Sequence, residues 1–414
     1  MAVLRYGADS SVQLEFGEGV DSAQYGLPPG MPLDDPVAAV AAALDDPLEY
    51  PPLAQNTTPG DQVVLALDHG IIDAARVVAA VVRTLVDSGV DADGITVLRT
   101  REDIDSGAED PCRLIPGPFR ERIKLLTHDP TDRDGLAYLA AGEKANPILI
   151  HRAIHDADLV LPIGCLHDPS TAGYFGLHSP LFPGFSDDKT QRRFRAFGAI
   201  DGGDRHKRRL IEEADHIAWL LGVNFSIQLI PASGDRILHV LAGQSEAVRR
   251  RGHELYRAAW GCPDPQAGDV QQAGLVVAAI EGNGSRQTWE NLGRALQAAT
   301  ELVEDGGAIA VCCDLADAPG PAMQRLAGAH SREGALRRIG KERPTDALPA
   351  AQLARALDRA KVYLLSRLKP SVVEALEMVH VAAPKELARL ARQHESCVLV
   401  ANASRVVVVR GDSK

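Results

Sequence analysis

The stretch VVLALDHG at residues 63–70 decides the fold class. Its first five residues form a continuous apolar run of strand length, and apolar residues then recur at helical spacing from Ile72 to Val86, before Gly89. A second apolar run follows at residues 95–98. The order of strand, loop, helix and strand predicts a βαβ unit, and such a unit implies a parallel sheet.

The same alternation continues along the chain and starts again after residue 274. Between the two series lies a stretch rich in Gly and Pro and without periodicity, which is typical of a linker. We therefore predict an α/β protein, in which two α/β domains with mainly parallel sheets face an interdomain cleft. The predicted parts are an N-terminal domain at 1–262 with an irregular lead at 1–60, a linker at 263–274 and a C-terminal domain at 275–414.

The charge and composition exclude several classes of protein. The 414 residues include 44 basic and 56 acidic side chains, which leave a net charge of −12. This balance argues against nucleic acid or an anionic membrane surface as the partner, since both require a cationic face. The first residues show no signal peptide, no apolar run is long enough to cross a bilayer, and the six cysteines form no C-x-x-C pair. We expect a cytoplasmic protein and leave its oligomeric state open.

Candidate chemistry in the first domain follows the predicted strands, because ligands of open parallel sheets bind beyond the carboxyl ends of the strands. Asp68 and His69 follow the first strand, where the carboxylate could hold the imidazole as a general base, or could cap the helix predicted at 71–88. The long loop at 164–185 carries His167 and His178. These histidines either form part of a site or lie on the surface of a packed loop, and their spacing is not that of metal ligands.

A glycine-containing segment in the second domain is a candidate anion site. The residues GNGSR at 282–286 follow a predicted strand and precede a helix. Their backbone N–H groups and Arg286 could hold a phosphate or a carboxylate, or the segment could be a plain tight turn. It lacks the third glycine of a dinucleotide fingerprint and the lysine of a P-loop.

The order of these segments resembles the lactate racemase family, whose members use a nickel-pincer nucleotide. The segments that carry the resemblance are DHGII (68–72), HR (151–152), ADLV (157–160), GCLHDP (164–169), AGYFG (172–176), PG (183–184), GNG (282–284), NL (291–292), AA (298–299) and GGAI (306–309). The resemblance covers about residues 60–320. It implies the family's two-domain α/β fold and a site in the cleft.

The resemblance also places the family's cofactor residues on this chain. In the family a lysine tethers the cofactor, a histidine completes the nickel sphere, and two further histidines exchange the hydroxyl proton of the substrate. By position the tether falls on Ser179 and the nickel histidine near Arg195. One catalytic histidine falls on Pro169, two residues from His167, and the other falls near Asp103.

The remaining positions of the resemblance concern the substrate. Asp68 matches the family, the substrate-binding arginine of the first loop falls on Ile71, and the lysine of the second domain falls near Arg294. Lys189 is the only lysine nearby in the sequence that could replace the tether, although it lies ten residues late. No metal ligand is assigned, and a nickel-pincer nucleotide is implied by the resemblance alone.

Three hypotheses follow. The first is a lactate racemase-like protein that acts on or binds a small 2-hydroxy acid or similar anionic ligand in the cleft, with the cofactor-tether and nickel-ligand positions lost. The alternatives are an active 2-hydroxy-acid racemase or epimerase with a rearranged nickel-pincer site, and a non-catalytic ligand-binding scaffold. The predicted catalytic residues are Asp68, His69, His167 and His178, and the predicted substrate- or anion-binding residues are Gly282, Gly284, Arg286, Asn291 and Arg294.

Overall fold

The computed structural model describes residues 2–17, 20–142, 146–200, 204–265 and 272–409, with side chains in these ranges except at 197–200 and 204. Its strands are β1 (Ala2–Tyr6), β2 (Ser10–Leu14), β3 (Asp21–Tyr25), β4 (Val63–Leu67), β5 (Ile95–Thr100), β6 (Lys124–His128), β7 (Leu136–Ala141), β8 (Pro147–His151), β9 (Leu159–Cys165), β10 (Phe225–Pro231), β11 (Ile237–Gln244), β12 (Gly261–Pro263), β13 (Ala273–Ala279), β14 (Val303–Cys312), β15 (Lys361–Leu365), β16 (Val379–Val381), β17 (Ser396–Val400) and β18 (Val407–Val409). Its helices are α1 (Pro36–Asp45), α2 (Ala74–Asp87), α3 (Arg101–Asp105), α4 (Gly117–Arg120), α5 (Arg152–His155), α6 (Asp188–Ile200), α7 (Asp204–Leu220), α8 (Ser245–Trp260), α9 (Trp289–Leu302), α10 (Pro321–Ala327), α11 (Arg332–Glu342), α12 (Ala347–Arg359), α13 (Pro370–Ala375) and α14 (Pro384–Ala391).

The described residues contain two six-stranded sheets, which we call the N-terminal and the C-terminal sheet. The N-terminal sheet has the order β11-β10-β9-β4-β5-β6 and is parallel except for β11, whereas the C-terminal sheet has the order β16-β15-β14-β13-β17-β3 and is parallel throughout. All five residues of β4 are buried, because a parallel sheet with helices on both faces exposes neither face. The predicted α/β class with mainly parallel sheets is therefore confirmed.

The first 60 residues differ from the predicted irregular lead. They form the antiparallel pair β1–β2, the strand β3 and the helix α1. The strand β3 pairs in parallel with β17 at the edge of the C-terminal sheet, so that the start of the chain reaches the sheet built from its end. All three strands precede the first proline of the chain, Pro28, and each is only five residues long, which is too short to show a clear periodicity.

The linker predicted at 263–274 lies partly outside the described residues, which resume at 272. At the start of the predicted linker, β12 pairs with β18. At its end, β13 begins at Ala273, one residue before the predicted boundary. The division of the chain at residues 262 and 274 remains a prediction. None of the described helices is long and apolar enough to cross a membrane.

Candidate active site between the two sheets

A cavity of about 440 Å³ lies between the loops that follow the strands of the two sheets. Its lining includes Asp68, His69 and His167 from the N-terminal half and Arg286 and Arg294 from the C-terminal half. The two strand ends that carry Asp68 and His167 are neighbours, since β4 and β9 pair in parallel. The edge of the sheet at which parallel strands end therefore collects these side chains, as the sequence predicts.

Asp68 belongs to the wall of the cavity and does not cap the following helix. That helix, α2, begins at Ala74, and Asp73 occupies its N-cap position. The Asp68 carboxylate instead accepts a hydrogen bond from the backbone N–H of His69 at 2.9 Å. Burial raises the pKa of Asp68 to about 6, and the nearby charges of Asp103 and Glu290 act in the same direction.

The imidazole of His69 is held by a carboxylate that the sequence reasoning did not pair with it. Its Nδ1 lies 3.0 Å from Asp103 Oδ1, and the same carboxylate accepts hydrogen bonds from Gly70 N at 2.9 Å and Thr100 Oγ1 at 3.1 Å. Burial alone would lower the pKa of His69, but the hydrogen bond and charge of Asp103 outweigh it and raise the pKa to about 9. The signal was present in the sequence, because Asp103 follows the strand next to β4.

An ion pair occupies the part of the cavity where the resemblance places the nickel histidine. Arg195 binds Glu102, and both line the cavity. Burial would raise the pKa of Glu102, but the adjacent guanidinium lowers it below its usual range. Ser179 also lines the cavity, and its hydroxyl donates to the Gly176 carbonyl at 2.8 Å. Lys189 is exposed on α6 and does not line the cavity.

His167 is held in one tautomer by its neighbour. Its Nδ1 lies 3.4 Å from the hydroxyl of Tyr256, which donates its own proton to the Arg405 carbonyl at 2.7 Å. The hydroxyl can then only accept from His167, so Nδ1 carries the proton and Nε2 keeps its lone pair. Burial, together with the charges of Arg294 and Arg405, lowers the pKa of His167 well below its usual value.

The structure places His178 away from the cavity. It is buried between α7 and α8, with its Nδ1 2.7 Å from Asp215 and its Nε2 3.1 Å from Ser245 Oγ. Asp215 in turn accepts two hydrogen bonds of 2.8 Å from Arg249. Both ring nitrogens of His178 are engaged in joining helices, so its role in this structure is packing.

The predicted anion-binding residues separate into two groups. Arg286, Asn291 and Arg294 line the cavity, whereas Gly282 and Gly284 do not. The glycines form the turn that the sequence left as the alternative: Gly282 adopts a φ of +125°, and its N–H donates to the Gly7 carbonyl at 2.9 Å.

Both predicted arginines have acidic partners. Arg286 lies 3.2 Å from Asp235 and donates to the Gly70 carbonyl across the cavity, while Arg294 lies 2.8 Å from Glu290. Asn291 donates from its side chain to the Arg286 carbonyl at 2.9 Å. These arginines bridge the two halves of the chain and add positive charge near His167.

A further arginine of the cavity, Arg405, was missed by the sequence reasoning. It lies on the loop after β17, is only 7% exposed, and stacks over the ring of Trp260 at 5.6 Å. Its guanidinium donates to the carbonyls of Ala232 and Gly234. Among the described residues, no carboxylate lies within ion-pair distance of it. Burial and the charge of Arg286 lower the pKa of Arg405 to about 10.

The described part of the chain contains no group of three or more His, Cys, Asp or Glu side chains placed to hold a metal ion. The titratable groups of the cavity are instead arranged as hydrogen-bonded pairs. The arrangement can hold an anion at Arg405, and it can take up or give a proton at His69 and at His167.

Comparison with known proteins gives a family match over the first part of the chain and a fold match over almost all of it. The family model of the lactate racemase N-terminal domain matches residues 6–197. The lactate racemase apoprotein from Thermoanaerobacterium thermosaccharolyticum has a similar structure, with a TM-score of 0.75 and 16% identity over 99% of this chain and 99% of that chain. A protein from Thermotoga maritima is similar with a TM-score of 0.65 and 14% identity, over 92% of this chain and 100% of that chain. No curated protein sequence matches the chain.

Proposed function

We propose that this chain, whose residues 6–197 match the lactate racemase N-terminal domain and whose fold is similar to that of the lactate racemase apoprotein, binds and acts on a small 2-hydroxy acid, or a similar carboxylate, in the cavity between its sheets, and that it does so without the nickel-pincer nucleotide. The proposal concerns three features of the cavity: a cation with no ion-pair partner among the described residues, a carboxylate that can accept from a hydroxyl group, and the residues at the cofactor positions.

The observation that carries the proposal is the buried guanidinium of Arg405. A buried charge is costly unless an opposite charge offsets it. No described carboxylate forms an ion pair with Arg405, and the charge of Asp235, which is paired with Arg286, acts on it only from a longer distance. A guanidinium has five N–H donors, of which the carbonyls of Ala232 and Gly234 engage one on each terminal nitrogen. The remaining donors suit a carboxylate, which guanidinium groups bind in a bidentate manner.

Asp68 supplies the partner for a hydroxyl group next to that carboxylate. With its pKa raised to about 6, it is mainly ionised at neutral pH and therefore acts as an acceptor. A 2-hydroxy acid carries a carboxylate and a neighbouring hydroxyl donor, so one molecule can engage both the cationic and the acidic part of the cavity. The pair of Asp68 and Arg405 thus favours hydroxy acids over simple carboxylates.

The residues at the cofactor positions do not fit the nickel-pincer nucleotide. Ser179 has no amine with which to form the tether, and the guanidinium of Arg195 is a cation already bound to Glu102. A protonated guanidinium does not bind a metal cation. We therefore derive no step of the reaction through nickel.

The direct test is calorimetric titration of the purified protein with lactate, glycerate and larger 2-hydroxy acids, each beside the same acid without its 2-hydroxyl group. We expect the hydroxy acids to bind more tightly than their partners. Since a hydrogen bond to a charged group contributes about 1.5–3 kcal/mol, Arg405→Met should weaken binding by roughly 10- to 100-fold.

The matched control is Arg337→Met, which removes an exposed arginine paired with Glu333 on α11 and should leave binding unchanged. Thermal unfolding of both variants checks that they fold. Equal binding by Arg405→Met and the parent protein would overturn the role of Arg405, and an absence of binding by any acid would overturn the function. Stoichiometric nickel and an added nucleotide mass, after co-expression with the enzymes that make the cofactor, would instead support a rearranged nickel-pincer site.

A further inference from the structure

We propose that the cavity dehydrates a 2,3-dihydroxy acid, with His167 as the base that removes the proton from C2 and His69 as the acid that protonates the hydroxyl group leaving C3. This inference rests on the proposed function, since it requires the ligand carboxylate at Arg405. It adds a reaction class, elimination of water, that differs from racemisation.

The topology places the two imidazoles on opposite sides of Asp68. In the N-terminal sheet the order β10-β9-β4-β5 sets β4 beside both β9 and β5. His69 follows β4 and is tied to Asp103, on the β5 side, at 3.0 Å. His167 follows β9 and is tied on the other side to Tyr256, on the helix α8 that packs against β10. Asp68 lies between them, close enough to Gly164 that a Cβ added there would lie 3.5 Å from its Oδ2.

The charges that act most strongly on His69 are negative. Asp103, Glu102 and Glu290 each favour its protonated form, and Asp68 lies beside it. The hydrogen bond from Nδ1 to Asp103 fixes the orientation of the ring and leaves Nε2–H as the proton that can be given to a ligand. His69 is therefore an imidazolium at neutral pH, which is the state that a general acid requires.

The charges that act most strongly on His167 are positive. Arg286, Arg294, Arg405 and Lys207 each disfavour its protonated form. The hydroxyl of Tyr256 accepts from Nδ1, so the lone pair of Nε2 is the one available to a ligand. His167 is therefore a neutral imidazole, which is the state that a general base requires.

His69 is held protonated and His167 is held neutral. This difference suits a reaction in which one group always acts as the acid and the other always acts as the base. Racemisation of two enantiomers of equal energy needs each base to act as the acid for the other enantiomer, and two groups held in opposite protonation states serve only one direction well. Pairs whose surroundings push their pKa values apart mark separate acid and base roles. Elimination of water needs both roles once in each turnover.

The step is balanced without an oxidant or a reductant. The C2–H bond breaks and its proton passes to His167 Nε2, while the electron pair forms the C2=C3 double bond. The C3–O bond breaks, and the hydroxyl group leaves as water with the proton from His69 Nε2. The resulting enol tautomerises to a 2-oxo acid, and the two histidines regain their starting states by exchange with solvent. The guanidinium of Arg405 faces the carboxylate, where negative charge accumulates as the C2 proton leaves.

The size of the cavity is consistent with a ligand longer than three carbons. At about 440 Å³ it falls in the range of cavities that enclose drug-sized molecules, roughly 300–1,000 Å³. Further hydroxyl groups of such a ligand would find acceptors at Glu102 and Glu290, which also line the cavity.

The test incubates the purified protein with glycerate, tartrate and the five- and six-carbon aldonic acids in deuterated water. We expect a 2-oxo acid from at least one of them, detected as its semicarbazone, with deuterium at C3 in the NMR spectrum. Since general acid–base catalysis contributes about 10²- to 10⁴-fold, His69→Gln and His167→Gln should each lower kcat by at least about 100-fold. Their binding of the acid should change only a few-fold.

The matched control is His155→Gln, since His155 is also bonded to an aspartate, Asp156, at 2.7 Å but lies exposed outside the cavity. It should retain full activity. Binding of hydroxy acids without formation of a 2-oxo acid would overturn this inference and leave the proposed function standing, as would exchange of the C2 proton with inversion and no loss of water. Failure of every acid to bind would overturn the proposed function itself.

Discussion

Replacing Asp103 by Asn tests the electrostatic account of the site most directly. The substitution removes the negative charge beside His69 and keeps the shape of the side chain that carried it. The pKa of His69 is raised from 6.5 to about 9, a difference of about 2.5 units. At 1.36 kcal/mol per pKa unit, the hydrogen bond and the charge, net of the opposing effect of burial, stabilise the folded protein by about 3 kcal/mol, to the order of magnitude.

The sign of the pH dependence follows from the direction of the shift. A histidine whose pKa is higher in the folded state contributes its full stabilisation below pH 6.5, and this contribution is lost as the pH rises from 6.5 through about 9. Asp103→Asn should therefore lower the free energy of unfolding by about 3 kcal/mol more at pH 6 than at pH 9.5. The hydrogen bonds from Gly70 and Thr100 to the same side chain add a cost that does not depend on pH in this range.

Two measurements check this prediction. Urea unfolding at pH 6 and pH 9.5 gives the free energies, and NMR titration of the imidazole gives the pKa, which should fall to about 6.5 or below in the variant. Asp156→Asn is the control, since its partner His155 is exposed. A His69 pKa that is the same in both proteins, or an effect on stability that is equal at both pH values, would refute the reasoning.

Three further predictions concern Asp68 and the packing of the two sheets. Because burial raises the pKa of Asp68 from 3.8 to about 6, Asp68→Asn should stabilise the protein by about 3 kcal/mol above pH 6, and by almost nothing below pH 3.8, in urea unfolding at the two pH values. Leu65→Ala, in the fully buried centre of β4, should cost about 2–5 kcal/mol, and a denaturation midpoint equal to that of the parent protein would contradict the packing of this strand. Gly26→Ala should lower the melting temperature far more than Gly60→Ala: both glycines have positive φ, but a Cβ at Gly26 would lie 1.7 Å from the Ala401 carbonyl oxygen, whereas nothing lies within 4 Å of one at Gly60. Equal losses would contradict the close approach of the two backbones.

The sequence predicted the features that depend on local periodicity. The apolar run of β4 and the helical spacing after it determine a βαβ unit, because burial of one helix face and of both sheet faces leaves a pattern within about 25 residues. The position of a site at strand ends followed from the same unit. Asp68, His69 and His167 line the cavity, as their positions after β4 and β9 predicted.

The predictions that differ from the structure concern residues whose role depends on distant partners. The sequence around His178 is that of a glycine-rich loop, which suggested a site. In the structure, Asp215 and Ser245 engage both of its ring nitrogens. The lead at 1–60 lacked periodicity, yet β3 finds its partner β17 at the other end of the chain. A short strand can form without a clear periodicity in its own sequence when the edge of an existing sheet supplies the hydrogen bonds.

The sequence by itself determined the α/β class, the parallel sheets and the strand ends at which polar side chains collect, since each of these follows from the order of apolar and polar residues along a short stretch. Only the tertiary structure decided which of those side chains carry a proton. The charge state of His69 depends on Asp103, which is 34 residues away, and that of His167 depends on Arg294 and on Arg405, which lies between β17 and β18. Burial and Coulomb interactions act through space, so the chemistry of the cavity is set by contacts between segments that no local pattern connects.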